Sequence, residues 1–552
     1  MNRLTKGLLF VAMTLLLASP LFAAGGQEGT ASDEKMTINW MAQFEDSWVY
    51  DHVEEKFNVD IVPNGIYVND AERVSVMLAA GEFPDCGPLW ENALEIYEDG
   101  VTRSLPKAMI RDYAPDIAKA YDQYSEGWIA NTNPKNDDEL LAINGVSSTT
   151  DYNIFLPMVR ADWVLNSGGE LPDYEAKKFP LDRVGKVFFL DYDMTLEQYE
   201  DLLRAFKEGD PDGNGKNDTI PYGASNNLWR SFHLLAGAFG VPYNGNRYVD
   251  GQLYDYRTDP GMKELLVMLN GWYADGLIDS EFASQDLRKS WDKIDAGLIG
   301  TTAEVVTYAG QVYAADRPPN SFVKDDELGT SGAEVVVLPG LIGPNGDQGA
   351  RAYRDLNADG GYRWFVNRKV DDAKLAKILE IINYGRATEE GFIYFQYGKP
   401  DVHFDWEAEA WNSKPVPRAA EDVPDGEKTV GNWGPYPPFY TADRLKFVYP
   451  VDLGNFATQW LTQPKSQAQS YRSARLDLKG ETDLAEVGRK YGETMKTLYE
   501  EFFFKSVTGE IDPAQEWDGY VEQFMANGGA QNIAELEKSP LVAALRLGKL
   551  EY

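Results

Sequence analysis

The chain is poor in the residues on which most metal and redox sites depend. Its 552 residues include one cysteine, Cys86, and three histidines, His52, His233 and His403, which lie far apart. A single cysteine excludes a disulfide framework within the chain, and so small a set excludes a cysteine-based zinc site and a histidine-rich metal centre. The chemistry of this protein therefore depends on carboxylates, amides, hydroxyl groups and aromatic rings.

Positive charge is scarce as well. The sequence has 52 Lys and Arg residues against 88 Asp and Glu residues, a formal net charge of −36 at pH 7. Such a chain lacks the basic footprint that binds phosphates, so its charge predicts no nucleic-acid partner and no attraction to an anionic membrane surface. Hydrophobic residues make up 43% and aromatic residues 13%, which is enough to build large cores. The length predicts roughly two to four domains.

The N-terminus has the pattern of an export signal. Two basic residues precede an apolar run from Leu8 to Phe22, and small residues follow at a candidate cleavage site. We predict a cleaved signal peptide at residues 1–24 and a flexible leader at residues 25–35. An uncleaved N-terminal anchor is the alternative, but the run is shorter than the ~20 residues of a membrane-spanning helix. No later segment approaches that length, so we expect no direct membrane insertion.

Strand-like and helical patterns alternate after the leader. Residues 36–40 alternate as a strand does, residues 49–57 have helical spacing, and residues 59–62 form a second strand-like run. Another helix and strand follow in the same order, which predicts a parallel α/β sheet. Loops at the carboxyl ends of such strands form the usual ligand crevice.

The clearest local motif is a short acidic loop after a predicted helix. Oxygen-bearing side chains occupy loop positions 1, 3, 5 and 9, with glycine at position 6 and a backbone carbonyl ligand at position 7. This is the ligand order of an EF-hand, and it predicts a structural Ca²⁺ site. The ligand residues are Asp210, Asp212, Asn214, Lys216 and Asp218.

One position departs from the EF-hand pattern. Position 12 is Pro221 instead of the usual glutamate. The Thr219 hydroxyl or an acid from elsewhere therefore has to complete the coordination. The alternative to a calcium site is an Asp/Asn/Gly turn that ends the preceding helix.

A set of ordered segments resembles a known protein family. The segments are Gly81 to Asp85 before Trp90, Arg160 to Trp163, the capped helix at Thr195, the loop from Asp210 to Gly223, Tyr273 to Asp279, Val337 to Gly340, and Trp517 to Val521. In this order they resemble the extracytoplasmic solute-binding proteins of sugar ABC importers. The resemblance is to the large oligosaccharide-binding subgroup that includes the alginate-binding type and carries a calcium loop at this place. It covers most of residues 36 to 530.

The resemblance implies a fold and a function. The fold is α/β, two-lobed and periplasmic-binding-protein-like (type II), with the ligand cleft between the lobes and closure by a hinge. Residues 36–158 with 334–398 would form the N-terminal lobe, and residues 159–333 with 399–552 the C-terminal lobe. The implied function is capture of a sugar or oligosaccharide by a monomer and delivery to ABC permease subunits, without catalysis.

The export junction refines the expected location. Members of this family in Gram-positive bacteria are normally lipidated at a cysteine after the cleavage site, where Ala24 and Gly25 stand here. We therefore expect a free periplasmic protein that is not lipidated.

Carbohydrate recognition combines two kinds of side chain. Aromatic rings stack on the C–H faces of sugars, and planar polar groups bind the hydroxyls. From their positions near strand ends and in loops, we predict these ligand-binding residues: Gln43, Asp46, Trp48, Trp90, Glu91, Asn92, Trp229, Arg230, Tyr308, Trp406, Trp433 and Tyr440. A core or surface role is the alternative for most of them.

A secreted glycoside hydrolase or polysaccharide lyase is the alternative function. Such an enzyme would use a carboxylate pair, and the sequence has many acids from which to build one. The ordered segments, and the lack of a motif that places an acid opposite a base, favour a binding protein.

Overall fold

The structure is a computed structural model. It describes residues 35–123, 126–146, 155–182, 185–309, 316–323, 333–348, 351–353, 363–424, 426–428, 430, 444–448, 470–472 and 478–538. The signal peptide, nearly all of the leader, Trp433 and Tyr440 lie outside these residues. Among the described helices, none combines the length and apolar character needed to cross a bilayer.

Strands and helices alternate along the described chain. The strands are β1 Met36–Trp40, β2 Val59–Pro63, β3 Cys86–Leu89, β4 Leu105–Pro106, β5 Thr132–Asn133, β6 Asn136–Leu140, β7 Phe155–Arg160, β8 Phe179–Pro180, β9 Val187–Phe189, β10 Ile220–Tyr222, β11 Asn246–Val249, β12 Gln252–Asp255, β13 Ile299–Val305, β14 Val335–Val337, β15 Arg351–Tyr353, β16 Arg363–Val366, β17 Phe404–Trp406, β18 Pro415–Pro417 and β19 Ser470–Arg472. The helices are α1 Trp48–Phe57, α2 Ala71–Ala79, α3 Ala93–Glu98, α4 Lys107–Tyr113, α5 Pro115–Gln123, α6 Glu126–Ile129, α7 Ala161–Asn166, α8 Tyr174–Lys177, α9 Leu196–Gly209, α10 Leu228–Ala238, α11 Pro260–Ala274, α12 Leu287–Asp295, α13 Asp372–Ile382, α14 Glu389–Tyr397, α15 Leu445–Val448, α16 Leu478–Thr508, α17 Pro513–Phe524 and α18 Ala530–Glu537.

The first sheet has the strand order β16-β3-β1-β2. β1 pairs in parallel with β2 and β3, and β16 pairs antiparallel with β3. The alternating sequence explains β1, in which Ile38 and Trp40 are buried and Asn39 between them is exposed. Ser47 caps α1 by accepting a hydrogen bond from a backbone N–H, and Asn58 ends the helix in the left-handed conformation. The predicted parallel α/β start is confirmed.

The second sheet has the strand order β10-β13-β7-β14-β9-β8. β7 is antiparallel to both of its neighbours, whereas β10 is parallel to β13 and β9 is parallel to β14. Thr195 and Gln198 form the predicted capping box at the start of α9. Helices α9, α10, α11, α16 and α17 share a core that contains Trp163 and Trp272.

Separate cores surround the two sheets, as a two-lobed α/β fold requires. The lobe boundaries differ from those expected at two places. Residues 155–158 and 334–338 were expected in the N-terminal lobe, but β7 and β14 both belong to the second sheet. Residues 399–430 were expected in the C-terminal lobe, but their described contacts are with α1 and α14 of the N-terminal lobe, which we also call the first lobe because it contains the first sheet. Short extended or loop segments fit either lobe, so only tertiary packing assigns them.

Candidate functional site

The carboxyl ends of parallel strands mark a candidate crevice. β9, β10, β13 and β14 end at one edge of the second sheet, and β7 begins there because it runs the opposite way. β1, β2 and β3 end together in the first sheet. Val146 lies shortly after a bridge to β16, and eight residues, 147–154, separate it from Phe155 at the start of β7. This length keeps Val146 and Phe155 within about 30 Å of each other. The carboxyl ends of parallel strands are the position where α/β sheets bind ligands.

Three predicted residues of the second lobe come together at this edge. Trp229 and Arg230 lie in the first turn of α10, which follows β10, and Tyr308 follows β13. The Arg230 guanidinium lies 5.4 Å from the ring centroid of Phe155 and 5.9 Å from that of Trp291. The Trp229 and Phe155 rings are 4.9 Å apart in an edge-to-face contact. Aromatic faces and a guanidinium thus converge, as sugar binding requires.

A second arginine completes the group. The Arg317 guanidinium lies 5.7 Å from the Trp291 ring and 5.1 Å from the Tyr308 ring, and its Nη1 donates a hydrogen bond of 3.2 Å to the Tyr308 hydroxyl. Two guanidiniums therefore flank Trp291. We call the following residues the arginine-aromatic cluster: Phe155, Trp229, Arg230, Trp291, Glu304, Tyr308 and Arg317.

Sequence reasoning missed four residues of this cluster. Trp291 lies in α12, which has the amphipathic pattern of an ordinary surface helix, and Arg317 lies in a loop without a motif. Phe155 opens a strand, and Glu304 lies inside one. No local sequence signal places these residues beside Arg230, because the contacts join segments that are distant in the sequence.

Glu304 is the buried acid of the cluster. It is 1% exposed, and its Oε1 lies 2.6 Å from Arg230 Nη1. Burial raises the pKa of the Glu304 carboxyl, while the Arg230 charge opposes that shift. The Val305 backbone N–H also donates to this carboxylate at 3.0 Å. Arg230 is therefore held in place by an ion pair whose carboxylate is buried, while its own side chain remains 22% exposed.

The first sheet contributes a more exposed set. Trp90 follows β3, is 54% exposed, and donates a 2.8 Å hydrogen bond from Nε1 to Asn69 Oδ1. Glu91 and Gln43 are exposed near the ends of β3 and β1. Asn92 instead caps α3, accepting hydrogen bonds from two backbone N–H groups. Trp90 thus presents a fixed aromatic surface to solvent, and Asn92 has a structural task.

Asp46 and Trp48 are held by residues from the distant segment 399–430. Lys428 Nζ lies 2.9 Å from Asp46 Oδ1. The Trp48 ring stacks on His52 with a centroid distance of 5.0 Å and contacts His403 at 5.2 Å. Trp48 therefore joins α1 to that segment, close to the carboxyl end of β1.

His403 is fixed in its neutral form by two backbone groups. The Lys399 N–H donates to Nδ1 at 2.9 Å, and Nε2 lies 2.8 Å from the Lys428 carbonyl oxygen, to which it donates. Burial lowers the pKa of His403, with the Glu427 charge acting in the opposite direction. A proton on Nδ1 would face the Lys399 N–H, so protonation breaks this contact.

Acid is expected to destabilise this junction. Burial also lowers the pKa of His52, with Lys56 adding to the effect and Glu390 opposing it. Because both folded-state pKa values lie below the unfolded value of about 6.5, the stabilisation is complete above that pH and is lost as pH falls from there through the lower folded-state values. Melting temperatures measured from neutral pH down to acid pH should show this decline in stability. In the double variant His52→Gln/His403→Gln the dependence should flatten, and an unchanged slope would contradict this assignment.

Trp406 lies apart from the crevice. It belongs to β17 and packs on Phe404 at 5.1 Å and on Phe447 at 6.1 Å between ring centroids. The hairpin of β17 and β18 contacts α14 of the first lobe. Trp433 and Tyr440 are outside the described residues. The structure therefore gathers Trp229, Arg230 and Tyr308 but places Trp406 elsewhere.

The predicted calcium loop has its acidic side chains close together. Asn214 Nδ2 donates to Asp212 Oδ2 at 2.7 Å and to Asp218 Oδ1 at 3.1 Å, and the Gly215 N–H donates to Asp210 Oδ2 at 3.0 Å. Partial burial is the largest cause of a raised pKa at Asp212, and its neighbouring carboxyls add to it. An amide group thus occupies the space between two carboxylates that a cation would take.

The loop is not arranged as a finished metal site. Among the described residues, no three His, Cys, Asp or Glu side chains lie close enough together to hold a metal ion. The Thr219 Oγ1 is buried and has no hydrogen-bond partner. The hard oxygen donors fit Ca²⁺, and the hydroxyl is available to complete its coordination.

Sequence comparison finds relatives among bacterial binding proteins. No family model matches the chain. It is 26% identical over 302 residues to lipoprotein LipO of Bacillus subtilis, which covers 53% of this chain and 51% of LipO, so the chain spans about half the length of that relative. It is 20% identical over 548 residues to the B. subtilis polygalacturonan/rhamnogalacturonan-binding protein YtcQ, covering 96% of this chain and 98% of YtcQ.

Solved structures show the same architecture. The FusA substrate-binding protein of Streptococcus pneumoniae in complex with kestose has a TM-score of 0.61 and 16% identity, covering 91% of this chain and 98% of FusA. An HMO-binding solute-binding protein of Bifidobacterium longum infantis has a TM-score of 0.65 and 14% identity, covering 91% and 98%. The alginate-binding protein AlgQ2 has a TM-score of 0.55 and 17% identity, covering 93% and 99%. The chain therefore has the two-lobed α/β fold of the sugar- and oligosaccharide-binding proteins of ABC transporters, as its ordered segments predicted.

Proposed function

We propose that this protein is an exported solute-binding protein that captures an oligosaccharide between its lobes and delivers it to an ABC permease. The arginine-aromatic cluster at the strand ends is the observation that carries the proposal. A binding protein needs preformed aromatic faces with a few oriented polar groups, and no carboxylate pair. The relatives described by function are binding proteins rather than enzymes.

The cluster would bind sugar in two ways. The half-buried Trp229, Trp291 and Tyr308 rings provide flat apolar surfaces for the C–H faces of sugar rings. Arg317, and Arg230 where it is not occupied by Glu304, provide planar donors for hydroxyl oxygens. Trp90 on the first-sheet edge would close over the other side of the ligand, so that lobe closure removes water from these hydrogen bonds.

The chemical class of the ligand follows from the relatives only in outline. YtcQ is described as binding polygalacturonan and rhamnogalacturonan, and FusA as a fructooligosaccharide-binding protein. Both names describe oligomeric or polymeric glycans as ligands, so we propose an oligosaccharide rather than a free monosaccharide.

A glycan panel tests the function. The purified protein is mixed with oligogalacturonides, inulin-type fructans from kestose upwards and human-milk oligosaccharides, and both the melting temperature and the products are measured. We expect one class to raise the melting temperature without any cleavage, because a ligand that binds only the folded state stabilises it. Cleavage at enzyme-like turnover would contradict the proposal.

A matched pair of variants tests whether the ligand-induced rise in melting temperature depends on the arginine-aromatic cluster. Trp229→Ala should reduce the ligand-induced shift, because it removes a ring from the cluster. Tyr248→Ala, which removes a 48% exposed aromatic side chain away from the strand ends, should leave the shift unchanged. Equal effects of the two substitutions would show that the cluster is not the site.

We also propose that the loop of Asp210 to Asp218 binds Ca²⁺ in a structural role. Support comes from its oxygen-rich donor set, the clustered carboxylates and the unpaired Thr219 hydroxyl. Structures similar to this chain include AlgQ2 without calcium ion and an EF-hand mutant of FusA. The ion would draw the three carboxylates together and pin the loop between α9 and β10, without taking part in sugar chemistry.

The proposed location is the periplasm, with the protein free and monomeric. The predicted signal peptide and the lack of a cysteine after its cleavage site support this. LipO, a lipoprotein, shows that lipidation occurs among the relatives. Fractionation of cells that express the full chain, with mass determination of the mature N-terminus, distinguishes a cleaved soluble form from an anchored one.

A further inference from the structure

The hairpin of β17 and β18 carries an aromatic surface outside the crevice. Trp406 lies in β17, Trp411 in the loop that joins the two strands, and Tyr394 in α14. The ring centroids of Trp406 and Trp411 are 5.4 Å apart, and those of Trp411 and Tyr394 are 6.5 Å apart. Trp411 is 37% exposed. We call these three residues the hairpin platform.

Trp411 has an unusual backbone conformation. Its φ is 62°, in the left-handed region. The other non-glycine residues with positive φ in the described chain are all Asn or Asp, which tolerate this conformation. A bulky aromatic residue there is strained, and strain of this kind persists where the surroundings impose it and often marks a functional position.

The surrounding loop imposes this conformation without help from the Trp411 ring. The Glu407 N–H donates to the Lys414 carbonyl oxygen at 2.9 Å. The buried Ser413 hydroxyl donates to the Glu409 carbonyl oxygen at 2.9 Å and accepts from a backbone N–H at 3.0 Å. Because these hydrogen bonds are independent of the side chain at position 411, asparagine or glycine would fit the same loop with less strain. The backbone of the hairpin therefore does not require a tryptophan here, and the ring is held by its contacts with Trp406 and Tyr394.

The platform is continuous with the candidate crevice. The Tyr394 ring contacts the Trp48 ring at a centroid distance of 5.9 Å. Trp48 begins α1 directly after the loop at the carboxyl end of β1. A line of aromatic rings therefore leads from the first-sheet edge through Tyr394 to Trp411 and Trp406.

Planar polar groups lie on the other face of the hairpin, because Asp405 alternates with Phe404 and Trp406 along β17. Arg418 Nε donates to Asp405 Oδ2 at 2.8 Å, and Nη2 donates to Oδ1 at 2.5 Å, which braces β18 against β17. The Asp405 side chain remains 56% exposed. The hairpin therefore has partly exposed rings on one face and exposed planar hydrogen-bonding groups on the other, the two kinds of side chain that contact sugars.

We propose that the hairpin platform is a second carbohydrate-binding surface, on which Trp411 stacks against a sugar of the oligosaccharide whose other end occupies the crevice. This rests on the proposed function and deepens it, because the ligand then has to be long enough to pass Trp48. Stacking on the exposed ring explains why tryptophan occupies a position where the backbone favours asparagine. Its contacts with Trp406 and Tyr394 hold the ring in place, and the residue remains 37% exposed for this contact.

The test compares Trp411→Asn with the wild-type protein over two glycan series, oligogalacturonides and inulin-type fructans that begin at kestose. Binding is measured by calorimetry and stability by thermal unfolding. We expect wild-type affinity to rise with chain length in one series. Trp411→Asn should keep or raise the melting temperature, leave the affinity for the shortest bound glycan unchanged, and weaken binding of the longest by about tenfold. Trp411→Phe should restore most of that loss because it restores a ring.

The outcomes distinguish a failure of the second carbohydrate-binding surface from a failure of the proposed function. A Trp411→Asn protein that binds long and short glycans as the wild type does, or a wild type whose affinity does not rise with length, overturns the second surface and leaves the binding protein intact. A lower melting temperature with equal binding shows that Trp411 only covers the hairpin. If the wild type binds no member of either series or of the wider panel, the proposed function itself fails.

Discussion

The Arg230→Ala variant is expected to lose about 3 kcal/mol of unfolding free energy, and its glycan affinity should fall by more than tenfold. The reason is Glu304, which is 1% exposed and would remain buried without its cation. Breaking one partner of such a pair leaves an uncompensated charge, which costs far more than the pair contributes. Chemical denaturation and calorimetry with the bound glycan measure the two losses.

Two further variants distinguish the loss of the buried Arg230–Glu304 ion pair from a general loss of positive charge. Arg230→Ala/Glu304→Gln removes the buried charge and should recover much of the stability but not the affinity. Arg204→Ala breaks surface pairs with Glu200 and Asp275 and should cost no more than about 1 kcal/mol. If Arg230→Ala were as mild as Arg204→Ala, the assigned role of the buried pair would be wrong.

The stability of the Arg230→Ala variant should also depend on pH. Without Arg230, the already raised pKa of Glu304 should rise further. A carboxyl with a raised folded-state pKa contributes stability below its unfolded value of about 4.3, and that contribution is lost as pH rises. The stability deficit of Arg230→Ala should therefore be smallest in acid and largest at neutral pH, which denaturation at both pH values will show.

Calcium is expected to stabilise the chelator-treated protein by about 2.7 kcal/mol when its free concentration is a hundred times its Kd. The physical reason is that only the folded loop holds Asp210, Asp212 and Asp218 near enough for an ion to draw them into one coordination shell, so the ion binds the folded state alone. Thermal unfolding with and without Ca²⁺ measures the effect. Mg²⁺ should be much less effective because it demands a more regular and smaller coordination shell.

Asp212→Asn provides the decisive variant because its effect should depend on the ion. With calcium present it should remove most of the stabilisation. Without calcium it should be neutral or slightly stabilising, since it relieves the like-charge crowding that adds to the raised pKa of Asp212. Asp250→Asn, at an exposed left-handed turn position outside this loop, should keep the full calcium response. A calcium response that survives in Asp212→Asn would contradict the assigned site.

Local patterns in the sequence predicted local structure well. The alternation of residues 36–40 and the Thr195 capping box appear in β1 and α9, because strand faces and helix caps are set by neighbours within a few residues. Tyr308 follows β13, in agreement with the strand predicted before it, whereas Trp229 and Arg230, predicted from a turn-rich stretch, begin α10 after β10. The ordered family segments predicted the overall fold.

Contacts between distant segments could not be predicted in the same way. Trp291 and Arg317 come together only through packing of α12 on residues 320–323, the segment that follows Arg317, and no motif marks either residue. Trp406 has the aromatic character expected of a ligand-binding residue, but packing of the hairpin on α14 places it outside the crevice. A side chain's neighbours across the sequence depend on the whole core, which its local pattern does not encode.

The scarcity of cysteine, histidine and positive charge in the sequence determined by itself which chemistries this protein lacks, because those sites need particular residues in number. The order of oxygen ligands in one loop likewise predicted a calcium site without reference to the rest of the chain. The tertiary structure alone decided that two arginines flank Trp291, that a buried glutamate holds one of them, and that His403 pins a late segment onto α1. Composition and spacing fix which groups are available, whereas burial and charge pairing arise only when distant segments pack together.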